Sequence, residues 1–192
     1  RAQIVAGMAD ADKTRFADEL RSSDAVQRLV AGDWPMLWSS NFRFVSDDPL
    51  KVLGRADGLA GSEVLELLAP MVKSSTRGVS FISPYFVPGE AGTEFFVSVD
   101  QAGSAVRILT NSLAANDVAM VYGGYSKWRE LLLEGGVELW ELKPTHGSEV
   151  KSSMFGSSGA SLHTKALEVD GRFAFVGSYN LDPRSTSLNC EQ

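Results

Sequence analysis

The stretch from Leu162 to Glu191, LHTKALEVDGRFAFVGSYNLDPRSTSLNCE, restricts the fold of this chain more than any other. Leu162 to Val169 reads as a strand, Asp170-Gly171 as a two-residue hairpin turn and Phe173 to Val176 as the return strand. Successive side chains of a strand point to opposite faces, so His163 and Lys165 share one face while Thr164 and Ala166 take the other. The hairpin thus sets an imidazole beside an ammonium, and its second strand runs into Gly177-Ser178-Tyr179-Asn180.

That grouping suits a phosphodiester, whose non-bridging oxygens gather negative charge during displacement. Lys165 is a fixed cation for those oxygens, and the Ser178 hydroxyl and Asn180 amide are hydrogen-bond donors to them. Gly177 allows the backbone to approach a ligand closely. The imidazole of His163 can attack phosphorus to give a phosphohistidine, or protonate a leaving alkoxide. Neither role needs a metal; no metal-ligand spacing is evident, and no cofactor is expected.

The pattern His163-x-Lys165-x4-Asp170, followed by Gly177-Ser178-x-Asn180, resembles the signature of the phospholipase D superfamily. The continuation Asn180-Leu-Asp-Pro-Arg-Ser185, then Leu188-Asn189-Cys190-Glu191, is similar to the bacterial cardiolipin synthase branch. The resemblance places His163, Lys165, Asp170 and Glu191 in the catalytic set, with Glu191 as the carboxylate that fixes the tautomer of His163. Strand parity sets Asp170 apart: an odd separation of seven from His163 turns it to the opposite face, where it anchors the turn. Asp182-Pro183 reads as an N-cap and first-turn proline, so a short helical turn would point its N–H groups toward the site.

A chain of 192 residues, 44% apolar, is long enough to bury a core. A net charge of −6, with no stripe of basic and aromatic residues, argues against nucleic acid as the partner. The single cysteine, Cys190, excludes an internal disulfide framework. No run of about 18 apolar residues marks a membrane span, and the composition is that of a soluble chain. The first residue is Arg1 and the last lies one past Glu191, so both ends read as cuts through a longer protein.

Residues 1–60 read as a partly helical N-terminal extension and 61–192 as the α/β domain that carries the motif. In the extension, Ala11 to Val30 is patterned as one or two amphipathic helices with a restart near Ser22-Ser23-Asp24. Trp34, Leu37 and Trp38 form an aromatic cluster docked on the core, Asn41 to Val45 a strand, and Asp47-Asp48-Pro49 a solvated turn. Thereafter helices over 62–73, 93–99 and 117–134 alternate with strands over 79–83, 104–110 and 137–142. That order predicts a layered α/β fold around a largely parallel or mixed sheet, phospholipase D-like by the resemblance. Ligands in such folds sit beyond the carboxyl ends of the strands, which makes Tyr85 and Asn111 candidates for lining the pocket, against plain packing for Tyr85 and Phe86. Pro144 to Ala160 reads as an exposed loop, and His146 within it as a solvated histidine.

Family members build one site from two such motifs, and this sequence holds one. The missing partner is then an upstream half bearing the first motif, or a second copy of the chain. The resemblance implies transfer of a phosphatidyl group between phospholipids, with hydrolysis of phospholipid or nucleic acid, or an inactive interaction module, as alternatives. It also implies peripheral contact of the parent protein with the cytoplasmic face of a bacterial inner membrane. His163 serves as nucleophile or as general acid, and a single imidazole leaves the isolated chain inactive.

Overall fold

The computed structural model describes residues 21–33, 38–53, 62–116, 118–143 and 161–192. Phe16, Leu20, Trp34, Leu37 and the segment 144–160 with His146 lie outside the described residues. The chain divides into two compact units, 1–43 and 44–192. In the first, helix α1 (Asp24–Val30) restarts after Ser23 as its pattern predicts, and none of its residues is buried. Trp38 is exposed rather than docked on a core.

The second unit begins with an irregular segment where a strand over Asn41 to Val45 is expected, then a 3-10 turn (Pro49–Leu53). The alternating elements follow. Helix α2 (Glu63–Lys73) starts at Ser62, whose hydroxyl accepts from Leu65 N–H at 3.2 Å, a side-chain N-cap. Strand β1 (Gly78–Ile82), helix α3 (Gly89–Gln101), strand β2 (Ala105–Asn111), helix α4 (Ala119–Glu134) and strand β3 (Glu138–Leu142) come next. The hairpin of β4 (Ala166–Val169) and β5 (Phe173–Val176) and the short helix α5 (Pro183–Ser187) complete the order.

The sheet runs β3-β2-β1-β4-β5. The first three strands are parallel, joined by crossovers through α3 and α4, while β4 lies antiparallel to β1 and β5 antiparallel to β4. The sheet is therefore mixed. Register aligns Val79 with Val106 and Val169, and Phe81 with Ile108 and Leu167, so all six project from one face and all are buried. Val64, Leu68 and Val72 of α2, Phe96 and Val99 of α3, and Tyr125 and Leu132 of α4 belong to the same core. Burial of each Val, Leu, Ile or Phe contributes about 1.5–3 kcal/mol, which makes this layer the scaffold for everything at the sheet's edges. On the other face, Trp140 is 61% exposed and Val176 78%. Among the described residues no helix is long and apolar enough to cross a membrane.

Candidate active site

Residues 161–165 run extended into β4 without ladder pairing, at the edge where β1 and β2 end. Asn111, the last residue of β2, replaces the missing ladder. Its Oδ1 accepts from Leu162 N–H at 2.9 Å and its Nδ2 donates to Leu162 C=O at 3.2 Å. The side-chain amide thus pairs with the residue before His163 as a backbone peptide would. Asn111 is buried, so it positions the histidine strand rather than lining a pocket.

Lys165 is only 8% exposed, on the face shared with Leu167 and Val169, whereas His163 is exposed. The ammonium folds back to donate to His163 C=O at 2.8 Å and stands 3.4 Å and 3.5 Å from the two ring nitrogens. The expected pairing of imidazole and ammonium is therefore present. On the other side, Lys165 C=O accepts from Gly177 N–H at 3.2 Å, which carries residues 177–180 alongside the histidine strand.

Asp170 stands at the opposite end of β4, about 17 Å from Lys165 at the ~3.4 Å rise of a strand. It occupies the left-handed region at φ 57°, and Gly171 does so at 69°, in a turn that takes in Arg172 and so has three residues rather than two. The Asp170 carboxylate accepts from the N–H groups of Thr76, Arg77 and Gly78 at 2.8–3.2 Å and from the Ser75 hydroxyl at 3.0 Å. The N–H groups of Gly78, Arg77 and Thr76 hold its carboxyl well below the usual range. This corrects its place in the catalytic set: the carboxylate is saturated by the start of β1, at the far edge of the sheet from His163.

Glu191 also differs from expectation. Its carboxylate is buried and bonds to two serines, Oε2 accepting from Ser178 Oγ and Oε1 from Ser185 Oγ at 2.7 Å, and no hydrogen bond joins it to His163. The one proton of the Ser178 hydroxyl is thus engaged by Glu191, which makes Ser178 part of a clamp rather than a free phosphate donor. Gly177 is required by this clamp. A Cβ there would stand 2.1 Å from Gln192 O, which accepts from Ser178 N–H at 2.6 Å; the close approach comes from the chain itself.

Asn180 is 8% exposed, and its Oδ1 is buried without a hydrogen-bond partner. Leaving such a buried acceptor unpaired costs about 1–3 kcal/mol. Asp182 caps α5 by accepting from Ser185 N–H at 2.7 Å, so that N–H group is spent locally instead of facing the site. Tyr85 is half-buried, while Phe86 belongs to the core against Phe96 and Tyr125, at 5.9 Å and 5.7 Å between ring centroids. Their loop is tied to the motif by Val87 N–H to Leu181 C=O at 2.7 Å and Leu181 N–H to Ser83 Oγ at 3.1 Å.

Sequence reasoning missed Asp47 and Lys51. Asp47, expected in a solvated turn, is buried, with an oxygen 2.6 Å from Lys51 Nζ. Its N–H donates to Glu191 C=O at 2.8 Å, so residues 44–53, placed with the N-terminal extension from the sequence, are bonded to the motif. The i, i+4 spacing of the two charges was the available signal. Away from His163, an apolar cleft of about 440 Å³ runs between α2 and α3, lined by Leu65, Leu68, Phe95, Tyr179, Leu181 and Thr186 among others.

The family described as cardiolipin synthase, phospholipase D-like domain, matches residues 68–192. Cardiolipin synthase C of Escherichia coli is 44% identical over 187 residues, which cover 95% of this chain and 38% of the relative. A cardiolipin synthase of a Geobacillus species is 32% identical over 128 residues, 67% of this chain and 22% of that protein. The chain thus spans well under half the length of these curated relatives. Among solved structures, the phospholipase D family member Nuc of Salmonella typhimurium is similar over 69% of this chain and 74% of its own, at 16% identity and a TM-score of 0.48.

Proposed function

The chain belongs to the cardiolipin synthase family of phospholipase D-like domains, and on that premise we propose that it supplies one half of a phosphatidyl-transfer site. The observation that carries the reading is the exposed His163 ring with the buried Lys165 ammonium 3.4–3.5 Å from its nitrogens. An ammonium held there meets the charge that grows on phosphate oxygens, while the imidazole attacks phosphorus or hands a proton to the departing glycerol oxygen. In the first half-reaction a phosphatidyl group passes to one imidazole and an alcohol leaves; in the second, the glycerol hydroxyl of another phospholipid takes that group and the imidazole is released. The Asn180 amide on the adjoining turn, through its Nδ2 donor, is the further group we assign to the phosphate oxygens.

In-line displacement needs an attacking group and a proton donor on opposite sides of phosphorus, so the second imidazole comes from an upstream half or from a second copy. The sheet face with Trp140 and Val176 exposed supports a packing partner of that kind. We assign the parent protein to phospholipid synthesis at the cytoplasmic face of a bacterial inner membrane, with peripheral contact through its lipid substrate. The test uses full-length protein and phosphatidylglycerol vesicles, with products identified by mass spectrometry. Cardiolipin and glycerol, absent with His163→Gln, support the reading. Phosphatidic acid as the sole product indicates hydrolysis instead, and no lipid turnover contradicts the reading.

A further inference from the structure

We propose that Asp47 and Lys51 are positioning residues for the turn Ser178 to Asn180, so that residues 44–53 form part of the site although the family match begins at residue 68. The proposal rests on the phosphatidyl-transfer reading for what that turn binds. Its geometry stands independently.

Both side chains of the pair are 1% exposed. A buried ion pair is weak support for stability, because apolar residues of similar size hold a fold as well. What distinguishes this pair is where its remaining bonds go. Lys51 Nζ donates to Ser185 C=O at 2.6 Å. Asp47 Oδ2 accepts from Glu191 N–H at 3.1 Å, and Oδ1 accepts from Ser62 Oγ at 2.8 Å and from Val64 N–H at 3.3 Å. Burial pushes the Asp47 carboxyl up, but bonds from Lys51, Ser62 and the N–H groups of Glu191 and Val64 outweigh it and leave the group below its ordinary range. The pair ties the start of α2 to both ends of the clamp.

The clamp passes that constraint to the turn. Glu191 holds the hydroxyls of Ser178 and Ser185, and Ser185 Oγ accepts from Asn180 N–H at 3.2 Å. The Asn180 side-chain oxygen has no hydrogen bond to locate it, so backbone placement sets where the amide stands. A shift of about 1 Å in such a group can cost roughly 10²-fold in rate.

The experiment compares full-length wild type with Asp47→Asn/Lys51→Met, which removes both charges together, and with Ser185→Ala, which cuts the clamp and leaves the pair intact. Amide hydrogen exchange at Ser178 and Asn180 should quicken about tenfold or more in each, while Val106 and Ile108 keep wild-type protection. With phosphatidylglycerol vesicles, kcat should fall roughly tenfold and KM stay within about twofold. In an Asn180→Ala background the same changes should cost less than about threefold, because both act through one group. Wild-type exchange at Ser178 and Asn180 in both variants overturns the proposal whatever reaction the protein catalyses. Quickened exchange with an unchanged kcat, in a protein that makes cardiolipin, overturns it as well, and so do losses that multiply with Asn180→Ala. A wild type that transfers no lipid contradicts the functional reading alone, and the exchange rates still decide the positioning.

Discussion

The two ends of β4 carry residues of one signature and are built on opposite principles. At the Asp170 end the carboxylate is surrounded by backbone N–H groups and a serine hydroxyl. At the His163 end an imidazole stands exposed, an ammonium is buried beside it, and the neighbouring turn holds an orphaned amide oxygen. A group whose bonds are all made within the chain fixes structure, whereas an exposed imidazole is open to a ligand. Position in a motif therefore does not assign a role; the hydrogen-bond inventory does.

The sharpest way to break this contrast is to remove the imidazole. His163→Gln in the full-length protein should lower the transfer rate by about 10³-fold or more, with a melting temperature near wild type, since the ring is exposed. A rate within tenfold of wild type would erase the distinction. Next in size, Lys165→Met should cost roughly 10²–10³-fold in kcat, as expected for a group that meets charge growing in the transition state. Steady-state kinetics that show only a raised KM would make Lys165 a ground-state contact instead.

The structural side of the contrast is read in stability. Gly177→Ala forces a Cβ against Gln192 O and should cost about 1–3 kcal/mol, visible as a lower urea midpoint with an unchanged slope. Asp170→Asn acts through pH. The native carboxyl lies below its ordinary value, so its stabilisation is complete above the unfolded pKa of about 3.9 and is lost as pH falls toward the lowered native value. Melting temperature should drop between pH 5 and pH 3 in wild type and drop less steeply in Asp170→Asn. The remaining slope includes Asp47, whose carboxyl is also lowered. Parallel curves for the two proteins would deny Asp170 its structural role.

Much of the scaffold was legible because apolar runs and helical periods alternate from Ser62 to Leu142, and every helix and strand read there is present within a few residues. The hairpin was legible from Asp-Gly, and the separation of Asp170 from His163 from strand parity alone. That β4 runs antiparallel to β1 was not, since pairing between residues as far apart as Val79 and Val169 leaves no local mark. Glu191 illustrates the same limit within the site. Resemblance assigned it to His163, but its carboxylate answers to Ser178 and Ser185 and its backbone to Asp47. Asp47 looked like turn chemistry because the lysine that allows its burial becomes a neighbour only when Pro49–Leu53 coils.

The division of labour along β4 is tested most directly by measuring two quantities on two variants of the full-length protein: turnover per folded molecule and melting temperature at pH 7, for His163→Gln and Asp170→Asn. The account predicts opposite patterns. His163→Gln should lose turnover and keep its melting temperature, whereas Asp170→Asn should melt lower and retain most of its turnover per folded molecule. Equal losses of turnover, with both melting temperatures unchanged, would place Asp170 in the chemistry and contradict the account.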